Sequence, residues 1–146
     1  MSRVTFAFTA ILLAACGAAM SFAAFRATPA PGETVYTCAT EQMKAMGYDL
    51  TSHNDREWRV TAQRENPLIR RSDPTFRKAL DRLVADADPA EASDGTTLRV
   101  SAHTVLEHFN RRGPTFDEIQ ASEHARASAD TLLARCAGSE VAPATP

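Results

Sequence analysis

Few residues in this chain are of a type and spacing that could do chemistry. His53, His103, His108 and His124 are its only imidazoles. His103 and His108 stand five positions apart, on opposite faces of a strand or about 140° apart on a helix. Neither geometry makes a metal site from the pair alone, since such a site needs three or four converging ligands. Glu123-His124 lacks the spaced second histidine of a zinc-protease helix. Ser52-His53 and Ser101-Ala102-His103 bring hydroxyl and imidazole close in sequence, but an activated serine usually sits on a tight glycine-flanked turn, and no Gly-x-Ser-x-Gly occurs. These groups are expected as solvated strand or turn residues. Asp55, Glu57, Asp86, Asp88 and Glu91 supply carboxylates, yet paired acid–base work needs a cleft, and a domain of about 100 residues has little room for one. Asp86-Ala87-Asp88-Pro89-Ala90-Glu91 lacks the glycine and ligand spacing of a calcium loop and reads as a solvated turn. Trp58, the only tryptophan, reads as hairpin core, with a binding anchor as the alternative. Arg70-Arg71, Arg77-Lys78 and Arg111-Arg112 could face anionic lipid headgroups or lipopolysaccharide, or simply be solvated. No two glycines share a phosphate-cradling loop. Catalytic residues, cofactors and metals are therefore not expected.

The three cysteines are Cys16, Cys38 and Cys136. The first lies in an N-terminal segment to be set aside before any fold is considered. Met1-Ser2-Arg3 carries one positive charge, and no charged residue follows from Val4 to Phe25. This is the pattern of an export signal. Leu13-Ala14-Ala15-Cys16 resembles the bacterial lipobox, whose cysteine is acylated and becomes the new N-terminus after cleavage by signal peptidase II. The resemblance implies residues 1–15 as signal peptide, Cys16 as the lipidated residue and a membrane as partner. Because Gly17 and not Asp follows, it also implies the outer membrane. Ordinary cleavage at the small-x-small pattern Ser21-Phe22-Ala23 is one alternative. An uncleaved anchor is another, since the uncharged run is long enough to span a bilayer.

Cleavage of either kind takes Cys16 out of play and leaves Cys38 and Cys136 in an oxidising compartment, where a disulfide between them is expected. Both fall on apolar helix faces. The other reading is two separate buried thiols. The 16 basic residues stand against 18 acidic ones, and a mildly acidic exported domain is a poor candidate for nucleic-acid binding.

These residues must be positioned by one small domain. Residues 16–32 read as an anchored tether, with the Pro29 and Pro31 region extended. Residues 33–138 read as a single α+β domain and 139–146 as a loose tail. Glu33 to Met46 has Val35, Cys38, Ala39, Gln42, Met43 and Met46 at helical spacing, with Gly47 at its C-terminus. Tyr48–Ser52 and Trp58–Arg64 alternate as a hairpin burying Tyr48, Leu50, Trp58, Val60 and Ala62. Ser72-Asp73-Pro74 predicts a second helix with Phe76, Leu80, Leu83 and Val84 inward, although Leu80 to Ala87 also fits a strand. Leu98 to Ala102, extending toward Val105, predicts a strand, and Asn110–Gly113 a turn. The last helix ends at Cys136, starting from either Thr115-x-x-Glu118 or Ser122. The sum is a small antiparallel sheet with two or three helices packed mainly on one face.

The opening unit also resembles domains of lipoproteins from the outer-membrane barrel-assembly machinery, in which a helix leads through a Gly-aromatic pair into a hairpin with an Asp-Arg turn. Met46-Gly47-Tyr48-Asp49-Leu50 and Asn54-Asp55-Arg56 carry the resemblance, which implies an architecture and no functional residue. The functional expectation is a non-enzymatic, tethered envelope domain that contacts a protein partner. The alternative is a small periplasmic hydrolase or hydrolase inhibitor.

Overall fold

The computed structural model describes residues 21–91 and 94–138, so Cys16, the lipobox-like segment and the tail lie outside the described residues. In chain order come β1 (Phe22–Thr28), α1 (Gly32–Ala45), β2 (Asp49–Asn54), β3 (Arg59–Glu65), β4 (Phe76–Pro89), β5 (Thr96–Asn110), β6 (Gly113–Ile119) and α2 (Glu123–Cys136). This is an α+β fold with an antiparallel sheet of six strands and two helices among the described residues. The sheet order is β1-β5-β4-β3-β2, and β6 also pairs with β5. Strands β1 and β6 share one edge of β5 end to end: Phe22–Thr28 lie opposite Ala102–Thr96, and Gly113–Ile119 opposite Asn110–Thr104.

The segment expected as a second helix, with a strand over Leu80 to Ala87 as the alternative, is the central strand β4, so the strand alternative holds. Its residues are good helix formers, but pairing with β3 on one side and β5 on the other overrides propensity. The strand signal is the alternation Leu83-Val84-Ala85-Asp86-Ala87-Asp88, in which Leu83, Ala85 and Ala87 are buried and their neighbours are not. Ser72-Asp73-Pro74 caps no helix. The Asp73 carboxylate accepts from the Thr75 amide and hydroxyl, both at 2.8 Å, and turns the chain into β4. Asp86 and Asp88, expected in a turn, are strand residues too.

Of the segment expected as a 16–32 tether, the part from Phe22 to Thr28 is strand β1. Phe22, Ala24, Arg26 and Thr28 are half-buried and alternate with exposed Ala23, Phe25 and Ala27, the pattern of an edge strand. Pro29 and Pro31 fall after the strand, where no ladder donor is needed. The connection is fixed: the Thr96 hydroxyl donates to the Ala30 carbonyl at 2.7 Å. A Cβ on Gly32 would lie 2.2 Å from the Trp58 ring.

Helix α1 buries Val35, Ala39 and Met43, and Gly47 follows with φ +80°. The hairpin stands as expected, with Tyr48, Val60 and Ala62 buried and Leu50 and Trp58 packed against the core. Helix α2 starts at Ser122, whose hydroxyl accepts from the Ala125 amide at 3.0 Å. Thr115 and Glu118 instead belong to β6, a strand that the sequence patterns do not announce. The core packs Ala62, Leu83, Ala85, Leu98, Val100 and Ala102 of the sheet against Val35, Ala39, Ala125, Ala129 and Leu132 of the helices. Alanines on both layers allow close approach. Cys38 and Cys136 form a disulfide that ties α1 to α2, with Cα atoms 5.6 Å apart.

Candidate functional site

A groove of about 340 Å³ runs between α1 and β2, lined by Tyr36, Thr37, Thr40, Glu41, Lys44, Leu50, His53 and Asp55. The core-facing stripe of α1 leaves these helix residues on its flank and outer side. Strand β2 is an edge of the sheet and, among the described residues, pairs only with β3. The Tyr36 hydroxyl donates to Asp55 Oδ1 at 2.6 Å across the groove mouth. The phenol pKa is raised above its ordinary value, first by burial and then by that hydrogen bond and the Asp55 charge. Tyr36 therefore keeps its proton at neutral pH. Of the residues that the sequence singles out for chemistry, only His53 and Asp55 are brought together by this groove.

His108 sits at the other end of the sheet. Its Nδ1 lies 3.2 Å from the Thr75 hydroxyl and 3.5 Å from Asp73, and its Nε2 lies 3.5 Å from Asp117. The Thr75 hydroxyl donates to Asp73 at 2.8 Å, so its proton is committed to the carboxylate. The far nitrogen of the ring faces another carboxylate and no nucleophile. This is a clamp between the β3–β4 connection and β6, not a relay. His103 lies on the opposite face of β5, 4.0 Å from Glu118. Burial pushes its pKa down, with Glu118 opposing. His124 is exposed on α2. Among the described residues no group of three or more His, Cys, Asp or Glu could hold a metal ion.

A buried polar hub escapes the sequence patterns altogether. Asp81 is fully buried in β4. Its Oδ1 accepts from the hydroxyls of Thr104 at 2.7 Å and Ser122 at 2.9 Å, and its Oδ2 from the Asn66 amide at 2.9 Å. Thr104 in turn accepts from the Ser122 amide at 3.0 Å. One carboxylate thus joins β4, β5, the α2 cap and the loop after β3. Its signal is an acidic residue in phase with Leu83 and Ala85, visible only once β4 is read as a strand.

Large apolar side chains remain exposed at Phe25, Leu68, Phe109 and Phe116. The Arg77 guanidinium stacks over the Phe109 ring at 5.2 Å. No helix among the described residues is long and apolar enough to cross a membrane. Neither the family models nor the curated proteins contain a match to this chain.

Proposed function

We propose that this chain is an exported bacterial envelope protein, anchored by lipid on Cys16, whose domain binds an extended segment of a partner protein in the α1–β2 groove. Strand β1 supports the anchor. Cleavage near Ala23 would cut a strand whose Phe22 and Ala24 pack against the core, whereas maturation at Cys16 leaves it whole. The observation that carries the binding reading is the groove beside an edge strand. The backbone edge of β2 has no second strand partner among the described residues. An extended segment can add to such an edge while its side chains enter the space against α1. Leu50 and the methyl groups of Thr37 and Thr40 offer apolar contact; Glu41, Lys44 and His53 offer orientation.

A photo-crosslinking side chain at exposed Thr37, in the full chain within its native envelope, tests this. A discrete protein adduct, absent when the same group is placed at His124 on α2, is expected. No adduct above the His124 control would contradict it. A second reading, a small hydrolase, takes support from the titratable groups sharing the groove: Tyr36, Glu41, Lys44, His53 and Asp55. Turnover of a small substrate by the purified chain, lost in His53→Ala, would favour it.

A further inference from the structure

Three basic pairs scattered in sequence come to one end of the sheet. Arg77-Lys78 opens β4, whose Phe76 and Lys78 lie opposite His108 and Glu107 near the end of β5. Arg111-Arg112 forms the turn between β5 and β6, and Arg70-Arg71 lies in the connection that enters β4. Lys78 is paired with Glu107 at 3.7 Å, but Arg70, Arg71, Arg77, Arg111 and Arg112 form no salt bridge among the described residues. The nearby carboxylates of Asp73 and Asp117 are turned to His108. The same end exposes Leu68 at 86%, Phe116 at 59% and Phe109 at 50%. Uncompensated arginines around large exposed apolar side chains are the chemistry of a surface that meets anionic headgroups and the acyl boundary beneath them.

An acidic protein could also answer the arginines, but the anchor favours the bilayer. Because Phe22 lies opposite Ala102 and Thr28 opposite Thr96, the N-terminal end of β1 points along β5 toward its Thr104–Asn110 half. Cys16 precedes Phe22 by six positions, a reach of at most about 21 Å. The run of β5 from Ala102 to Phe109 is about 23 Å. Fully extended, Cys16 stops about 2 Å short of the level of Phe109, a gap that an acyl group on it spans, so a lipid on Cys16 and the basic aromatic end can meet the same leaflet.

We propose that the end of the sheet bearing Arg70, Arg71, Arg77, Arg111, Phe109 and Phe116 seats on an anionic phospholipid surface. The proposal rests on acylation of Cys16. It leaves the Trp58 end of the hairpin, which pairs toward the opposite half of β4 and β5, pointing away from the membrane.

The test reconstitutes the acylated full chain in vesicles of phosphatidylglycerol and phosphatidylethanolamine with brominated acyl chains. Trp58 reports from the far end, and Phe116→Trp adds a reporter at the basic end. The expected result is strong quenching of the added tryptophan and little of Trp58, with the added quenching falling several-fold in high salt or when Arg70, Arg71, Arg111 and Arg112 are all replaced by Gln. These four are exposed, so far-ultraviolet circular dichroism should stay unchanged. Flotation with the vesicles reports the anchor separately. A chain that floats while the added tryptophan is quenched no more than Trp58 overturns the seating and leaves the anchor standing. A chain that does not float overturns both. Quenching that is absent in vesicles, with Phe116 crosslinking to a protein in the native envelope, overturns it in favour of an acidic partner.

Discussion

Asp81 shows how much one buried residue can organise. Its carboxylate takes three side-chain hydrogen bonds from three different parts of the chain, so Asp81→Ala would leave buried donors on Thr104, Ser122 and Asn66 unpaired. The expected loss is about 3 kcal/mol of unfolding free energy, read from urea denaturation. Asp81→Asn keeps an oxygen for Thr104 and Ser122 but turns an amide toward Asn66, and should lose about 1–2 kcal/mol. A second residue-scale effect comes from His103. Burial favours its neutral form in the folded state, so its folded pKa lies below the ordinary 6.5. The unfolded chain then binds the proton more readily. The stability this contributes is complete above about pH 6.5 and is lost as the pH falls from there toward the lower folded pKa. Denaturation on either side of about pH 6.5 should show this slope, and His103→Gln should flatten it. Neither role was legible in the sequence. A helix through Phe76 and Leu80 would place Asp81 off the core face, and His103 acquires its burial only from the strands beside β5.

At the scale of elements, the local patterns were readable where a face alternates cleanly or repeats at helical spacing. Helix α1, the β2–β3 hairpin and the end of α2 follow from such patterns. Strand β4 was obscured because Leu80, Arg82 and Lys78 suit a helix as well as a strand, and only its two neighbours decide. Strand β1 was obscured by the apolar sequence that runs into it and by the two prolines just behind it. The disulfide was legible from counting and the expected compartment, and the packing of α1 beside α2 supplies the reason: Cys38 and Cys136 face each other across that contact. Replacing both by alanine should cost about 2–5 kcal/mol, since the bond closes a loop with a sequence separation of 98. Thermal melting of the oxidised chain against the double variant would measure it, and reductant should reproduce the shift. The β1–α1 connection is equally constrained. Gly32→Ala sets a methyl group into the Trp58 ring, and a loss of about 1–3 kcal/mol in chemical denaturation is expected from the repacking it forces.

Across the whole molecule the two ends of the sheet differ in kind. One gathers arginines and exposed aromatic rings; the hairpin side carries the groove between α1 and edge strand β2. The three basic pairs read separately as solvated charges, because their convergence is a property of strand order and not of spacing. The groove was illegible for the same reason, as His53 and Asp55 meet Tyr36 only through the packing of α1 on the hairpin. In the function proposed above, these features join in a domain held at a membrane through Cys16, with β1 intact as part of the sheet. Intact-mass analysis of the chain isolated from its native envelope tests that most directly. The predicted result is a polypeptide beginning at Cys16, carrying acyl chains on that residue, with Cys38 and Cys136 refractory to alkylation until reduced. A chain beginning near Ala24 with no lipid, or one retaining Met1 with Cys16 unmodified, would contradict it.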